Sequence, residues 1–485
     1  MGAIVAIVSK KGENVIPYVI AALSELTHRG TDAHGIGTHD SVVTTKSLEE
    51  ASRKNISSNL ALGHNLSRTF LRDRPQPILG NGFSLVFEGR LFPPANLPEA
   101  DEVLEVLKPD PQRNTKNIIE KFDGSYVFAV ACPSKVLIGR DPMGTVPLYY
   151  GENEIIGVVA SERKALWELD VKNAKSFPPG IVGEMSALGF SFRTVRTITQ
   201  PPVEPVGMEM AAKRLQNLLL EATRKRVSDV EEVSVAFSGG LDSSVTAVFA
   251  NACNKIVHLI TVGVDSQPEA QHAKAAAEEL GFIIHLQIYA LEDVEQILPK
   301  VLWLIEEPDP VKVGVAIPFY WVAETASKLG SKILLAGQGA DELFGGYQRY
   351  LKIYAESGVR AVQNALFHDA AFSYEKNFQR DSQICSFHGI ELRLPFADSE
   401  VTRFAMSLPV NLKIESTSDF LRKKVLRQTA QDLGIPLTIA NRAKKAVQYA
   451  TGVDKALGKL ARRKGLTTNE YVIDIFRKVY LHTAQ

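Results

Sequence analysis

The chain has 485 residues, 45% of them hydrophobic and 23% charged, and its 55 basic and 55 acidic side chains cancel. That balance excludes disordered and collagen-like classes, leaves no basic excess to attract phosphate backbones or anionic lipid, and suits roughly two to four domains. Cys132, Cys253 and Cys385 lie far apart without a Cys-x-x-Cys pair, which argues against a disulfide framework or zinc ribbon and for a reducing cytoplasm. No run approaches the roughly 18 apolar residues of a membrane span, and the N-terminus lacks the basic start and cleavage site of a signal peptide. The expectation is a soluble protein with neither nucleic acid nor membrane as partner.

In chain order, short apolar runs at 3–8, 83–87, 126–131, 136–139 and 155–160 predict strands of antiparallel sheets. Apolar residues at three- and four-residue spacing predict helices over 15–26 and 99–107. The first 190 residues therefore form an α+β domain of stacked sheets with helices. Three prolines within Thr197–Gly207 forbid regular structure, so 191–207 is read as a linker. From 208 the rhythm becomes strand and helix in alternation: helix 208–227, strand 233–237, helix 243–252, strand 255–262, a helix bracketed by Pro268 and Gly281, strand 282–288, helices 291–304 and 318–329, and strand 332–336. Alternation of this kind implies a parallel sheet covered on both faces, and the residues beyond 346 look mostly helical.

Two glycine-rich turns carry chemistry. Ser238-Gly239-Gly240-Leu241-Asp242-Ser243-Ser244 follows a buried strand and opens a helix, where glycines let backbone N–H groups close around an anion and the helix N-terminus adds unpaired donors. Ser238, Ser243 and Ser244 can donate to phosphate oxygens, whereas Asp242 suits polyphosphate only with a divalent cation between them, so it is assigned to Mg²⁺. No Gly-Lys-Ser/Thr follows, which excludes a Walker A loop; a tight strand-to-helix turn capped by Asp242 is the plain alternative. Gly337-Gln338-Gly339-Ala340-Asp341-Glu342 follows the next parallel strand, at the sheet edge where such folds collect ligands. Asp341 can share the metal with Asp242, or simply cap a helix. Lys444 and Lys445 offer cations for a developing negative charge, although a lysine pair is commonly a solvated face.

These turns, with Leu343-Phe344-Gly345-Gly346-Tyr347, the run His388–Asp398 and the lysine-rich segment 442–452, resemble the synthetase domain of the asparagine synthetase family. The resemblance implies a PP-loop ATP pyrophosphatase fold, an α/β parallel-sheet domain with a helical C-terminal part over 208–485. It implies that an aspartate carboxylate takes AMP from ATP, pyrophosphate leaves, and ammonia displaces AMP. On that reading the Ser238–Ser244 loop, Val262 and Gly337 contact ATP and pyrophosphate, Asp242 and Asp341 hold Mg²⁺, and Lys444 or Lys445 stabilises the transferring group. His388, Glu391, Arg393 and Asp398 are read instead as a buried polar network that fixes helices.

The first 190 residues resemble the same family's glutaminase, an N-terminal nucleophile hydrolase, through His28–Asp32, Phe122–Gly124, Arg140–Gly144 and Ala160–Leu166. That chemistry needs Cys after the initiator Met, its thiol attacking and its amine serving as base; here the position is Gly2. The oxyanion pair Asn-Gly is replaced by Glu88-Gly89, whose carboxylate would repel a tetrahedral oxyanion. Asp101 retains the place of the amine-binding aspartate. The expectation is a domain without glutamine hydrolysis, and ammonia taken free or from a separate glutaminase, with a homodimer left open. Gln338 stands where many asparagine synthetases have the Glu that helps deprotonate ammonia; an amide cannot accept that proton but can position a nucleophile. Two other functions fit the same residues: adenylation of another carboxylate for another amine, as in the related β-lactam synthetases, and a non-catalytic nucleotide-binding relic.

Overall fold

The strand Gly2–Ser9 is apolar as far as Val8 and buried along its whole length, because both faces of its sheet are covered. Its odd and even side chains go to different cores. Ala3, Val5 and Ile7 pack with Val19 and Leu23 of the helix Ile16–Glu25, while Ile4, Ala6 and Val8 meet Val86, Val127, Ala129 and Ile138 of a second sheet. The outer face of that second sheet buries Leu85, Phe87, Phe128 and Val130 under helices Glu99–Leu107 and Pro111–Lys121. Period-two alternation thus builds four layers, helix on sheet on sheet on helix. This computed structural model describes residues 2–94, 97–265 and 268–481.

The chain divides into two compact units, 1–198 and 199–485. In the first, a seven-stranded sheet runs in the order Lys175–Ser176, Tyr149–Glu152, Ile156–Ala160, Gly2–Ser9, Leu60–Leu66, Ala33–Gly37, Val42–Thr45. A six-stranded sheet runs Gly189–Thr194, Ile181–Ser186, Lys135–Arg140, Gly124–Cys132, Ser84–Leu91, Ile78–Leu79. Every strand pair registered in the two sheets is antiparallel. The strand Gly189–Thr194 takes in residues 191–194, which the sequence placed in a linker: a hairpin returns it onto Ile181–Ser186 before the prolines begin.

The second unit holds five parallel strands, ordered Ile283–Tyr289, Ile256–Val264, Glu232–Ala236, Ile333–Leu335, Glu391–Arg393. Chain order runs outward in both directions from Glu232–Ala236, so the topological switch point lies between that strand and its neighbour Ile333–Leu335, paired through Ser234 and Leu334. Loops leaving the C-terminal ends of these two strands open away from each other and form a crevice. The helix read as starting at Pro318 starts at Pro310, with Asp309 accepting from the N–H groups of Val311 and Lys312; Pro318 lies inside it. An Asp cap followed by Pro at the first position is the stronger start signal.

The fifth strand, Glu391–Arg393, belongs to the His388–Asp398 run. Arg393, fully buried, binds Asp229 at 2.5 and 3.0 Å, Glu391 at 2.7 Å and the carbonyl of Arg226 at 2.6 Å. Arg226 in turn pairs with Asp398 at 2.9 Å, which caps the helix Ser399–Ser407. These residues fix the sheet edge to surrounding helices. Among the described residues no helix is long and apolar enough to cross a membrane.

Candidate active site

The loops at the switch point line a cavity of about 630 Å³, within the range of nucleotide-sized pockets. Ser238, Asp242, Ser243, Val262, Gly337, Gln338, Asp341 and Lys444 all contribute to its wall. Gly239, Gly240, Leu241, Ser244 and Lys445 do not. Gly240 is the N-cap of the helix Leu241–Ala252, so that the unpaired N–H groups of its first turn sit at the crevice. Ser244 is fully buried inside that helix. Lys445 turns to the rim, where its ammonium pairs with Glu269. Of the two lysines that the sequence left undecided, Lys444 is the one aimed inward.

At the centre of the wall, Asp242 and Asp341 come together from different loops. The Nζ of Lys423 donates to Asp242 Oδ1 and Oδ2 at 2.7 and 2.6 Å and lies 2.5 Å from Asp341 Oδ1. Lys444 Nζ is 2.8 Å from Asp341 Oδ2 and 3.7 Å from Asp242 Oδ2. Two carboxylates and two ammoniums make a neutral quartet in which each charge is compensated. Burial alone would raise the carboxyl of Asp341, but Lys423 and Lys444 outweigh it and hold it well below the usual carboxylate range. Burial likewise opposes the charge on Lys444, and Asp341 with Asp242 pushes its ammonium above the ordinary lysine range. Glu342, next along, goes the other way: burial and the Asp341 charge raise it, and it takes hydrogen bonds from the Tyr347 hydroxyl and, at 2.8 Å, from Asn377.

Lys423 was missed by sequence reasoning, because Lys423-Lys424 reads as the solvated start of an amphipathic helix. What buries it is backbone geometry. Arg422 and Lys423 both sit in the left-handed region, at φ 52°, which costs a non-glycine residue about 1 kcal/mol or more. Arg422 is held by its N–H to Asp419 Oδ1 at 2.8 Å and by its Nε to the Gly346 carbonyl at 3.1 Å. Arg427 then donates to the carbonyls of Leu421, Arg422, Ala440 and Arg442. One guanidinium thereby joins the loop before Lys423 to the loop before Lys444. Gly346 completes the seat: a Cβ there would lie 1.8 Å from Asp341 Oδ1 and 2.3 Å from Lys423 Cε, so no other residue fits.

Both carboxylates reach one ammonium, which shows that hard oxygen donors converge on a single cationic position, as Mg²⁺ requires. Among the described residues no group of three or more His, Cys, Asp or Glu is disposed to hold a metal ion. Mg²⁺ here would complete its shell with water and phosphate oxygens, the usual arrangement for a nucleotide metal.

In the first unit the glutaminase-like residues also meet, but around a filled site. Arg29 donates from Nε to the Gly2 carbonyl at 2.7 Å and from Nη1 to Glu162 at 3.0 Å, and its Nη2 lies 3.5 Å from Glu88. His28 and Lys164 bind the same Glu162. A Cβ on Gly2 would lie 2.0 Å from the Asn65 carbonyl oxygen and 3.3 Å from Glu88 Oε2, so the backbone is packed where a nucleophile's side chain would start. Gly89 has φ 118°. Asp101 pairs with Arg74 at 2.7 Å. The space left beside Glu88 and Gly89 is about 30 Å³, room for little more than water.

The asparagine synthase family profile matches residues 214–359 and 354–481. The chain belongs to the asparagine synthase family. A glutamine amidotransferase domain profile matches residues 99–168. A protein of Methanocaldococcus jannaschii, provisionally named asparagine synthetase (glutamine-hydrolysing) 1, is 29% identical over 99% of both chains. The asparagine synthetase of Brassica oleracea is 27% identical over 70% of this chain, which spans only 60% of that relative's length. Among solved structures, the glutamine PRPP amidotransferase of B. subtilis aligns over 59% of this chain and 65% of its own at 18% identity, with a TM-score of 0.34 that carries no weight for the fold. As a family member the chain is an ATP-dependent carbon–nitrogen ligase with an amidotransferase-like first unit.

Proposed function

We propose that the chain makes asparagine from aspartate through a β-aspartyl-AMP intermediate, releasing AMP and pyrophosphate, and that it uses ammonia rather than glutamine hydrolysed in its own first unit. The observation that carries this reading is the convergence of Asp242, Asp341 and Lys444 on the wall of the cavity that Gln338 also lines, with Lys423 bridging the two carboxylates. Ser238, Ser243 and the first turn of the helix Leu241–Ala252 donate to the β- and γ-phosphates. Asp242 and Asp341 would hold Mg²⁺, which supplies charge neutralisation on the departing pyrophosphate. Lys423 and Lys444, released from the carboxylates, turn to the phosphate oxygens, and Lys444 stabilises charge as the α–β bond breaks. Ala236, Val262, Val315 and Phe319 give the adenine an apolar seat.

A site that retains both carboxylates and both lysines in a compensated quartet argues against a non-catalytic relic, since an idle site has no reason to keep four charges packed together. The filled space around Gly2 and Glu88 supports an external nitrogen source, whether free ammonia or a separate glutaminase. The three described cysteines are free, which suits a reducing cytoplasm. The test is ATP–pyrophosphate exchange by the purified chain: it should require aspartate and Mg²⁺, and glutamine alone should yield no glutamate. Exchange with a different carboxylate and none with aspartate would replace the substrate while keeping the chemistry.

A further inference from the structure

Gln338 begins the turn after the strand Ile333–Leu335 and shares its part of the cavity with Glu342, Asn377 and Arg380. An amide can face a cavity with its oxygen, an acceptor, or with its nitrogen, a donor, and the two present opposite chemistry to an incoming amine. The residue that decides is Asp381 on the helix Gln379–Phe387, fully buried and absent from the cavity wall. Its Oδ2 accepts from Gln338 Nε2 at 2.7 Å, and its Oδ1 accepts from Arg380 Nε at 2.8 Å. Burial pushes the Asp381 carboxyl above its ordinary value, and Arg380 and then Gln338 oppose that shift without reversing it. With Oδ1 taken by the Arg380 guanidinium, Oδ2 accepts from the nitrogen end of the amide. Gln338 Oε1 has no partner among the described residues and is left for the cavity.

We propose that Asp381 is a positioning residue which, by holding the amide nitrogen of Gln338, presents Gln338 Oε1 to the cavity as the acceptor for an N–H of the attacking ammonia. This rests on the proposed amide-forming function and specifies its second half. Ammonia held by one N–H keeps its lone pair free for the acyl carbon. The C–N bond forms, the bond from acyl carbon to the AMP oxygen breaks with its electron pair leaving on AMP, and the surplus proton passes to water, because a neutral amide takes none. Gln338 and Asp381 together orient the nucleophile without serving as its base.

The test uses the full-length chain with Mg-ATP and aspartate, and compares the wild type with Asp381→Asn, Gln338→Met and the double variant. Asp381→Asn lets the amide of Gln338 turn over, and loss of one oriented hydrogen bond corresponds to about a tenfold rise in KM for ammonium. The kcat at saturating ammonium should fall by no more than about threefold. Gln338→Met should raise the same KM to a similar extent, and the double variant should add little, since both changes remove one contact. An unchanged ammonium KM in Asp381→Asn, additive effects in the double variant, or a parallel fall in ATP–pyrophosphate exchange and amide synthesis would each overturn the proposal, the last because it marks a purely structural role. Absence of aspartate-dependent exchange in the wild type instead refutes the proposed function. In that case a crystal structure still decides the positioning: an amide nitrogen of Gln338 beyond about 3.5 Å from Asp381 refutes it and one within about 3.2 Å supports it.

Discussion

Replacing Lys423 by methionine removes a buried ammonium from between two carboxylates and keeps most of the side chain's volume. In the native protein Lys423 Nζ is within 2.7 Å of both Asp242 oxygens and 2.5 Å from Asp341, and the side chain is only 2% exposed. Breaking a buried pair by removing one partner commonly costs about 3–5 kcal/mol. Two features reduce that figure here. Lys444 remains 2.8 Å from Asp341, and the carboxylates keep 13% and 14% exposure, so some water reaches them. We expect a loss of about 2–3 kcal/mol, or roughly 3–5 °C in Tm for a unit of this size. A divalent cation can take the vacated position, so Mg-ATP should raise the Tm of Lys423→Met by more than it raises that of the wild type, and EDTA should widen the gap. Differential scanning fluorimetry with EDTA, Mg²⁺ and Mg-ATP measures both effects. A variant with wild-type Tm, or one whose response to Mg-ATP equals the wild type's, would refute the idea that Lys423 occupies the place of a cation.

Lys444→Ala should cut aspartate-dependent pyrophosphate release by a factor on the order of 100 to 1,000, about 3–4 kcal/mol of barrier. Lys445→Ala, whose ammonium engages Glu269 at the rim, should stay within about threefold of the wild type; comparable losses in the two would contradict the assignment. Lys413 is buried without a counter-charge among the described residues, and burial pushes it down to about 7 from its ordinary 10.5. Its folded pKa is depressed, so the unfolded chain binds more protons between those values and stability rises with pH across that window, by on the order of 4 kcal/mol in total. Urea unfolding midpoints at pH 7 and pH 9 should show the rise in the wild type and lose most of it in Lys413→Met, which should itself be more stable at pH 7. An unaltered pH slope in that variant would count against a neutral buried lysine. Gly2→Cys should not create a glutaminase and should lower the Tm, because its Cβ would lie 2.0 Å from the Asn65 carbonyl oxygen; glutamate release from glutamine by that variant would be the contrary result.

Much of the fold could be read from pattern. The strand–helix alternation from 208 onward prescribed a parallel sheet, and the helix Met208–Val227 spans the residues its periodicity indicated. Local signals failed where two cues competed or where a contact was long-range. Pro310 and Pro318 can each open a helix in sequence, and only the Asp309 cap decides between them. Strand Glu391–Arg393 is three residues long, too short for alternation to register, and is defined by pairing with Ile333–Leu335. The same division holds in the site. Asp242, Asp341 and Gln338 sit in glycine turns after strands, which short-range pattern can locate. Lys423 and Asp381 cannot be found that way: one is buried by a left-handed pair of residues held by Arg427, and the other is defined by its contact with Gln338, 43 positions away.

The most direct test of the central claim is to incubate the purified chain with ATP, Mg²⁺, aspartate and ¹⁵N-ammonium, and to follow pyrophosphate, AMP and product mass together. The account predicts equal amounts of pyrophosphate, AMP and ¹⁵N-labelled asparagine, with no pyrophosphate when aspartate is omitted. No aspartate-dependent pyrophosphate, or pyrophosphate with a product other than asparagine, would contradict it.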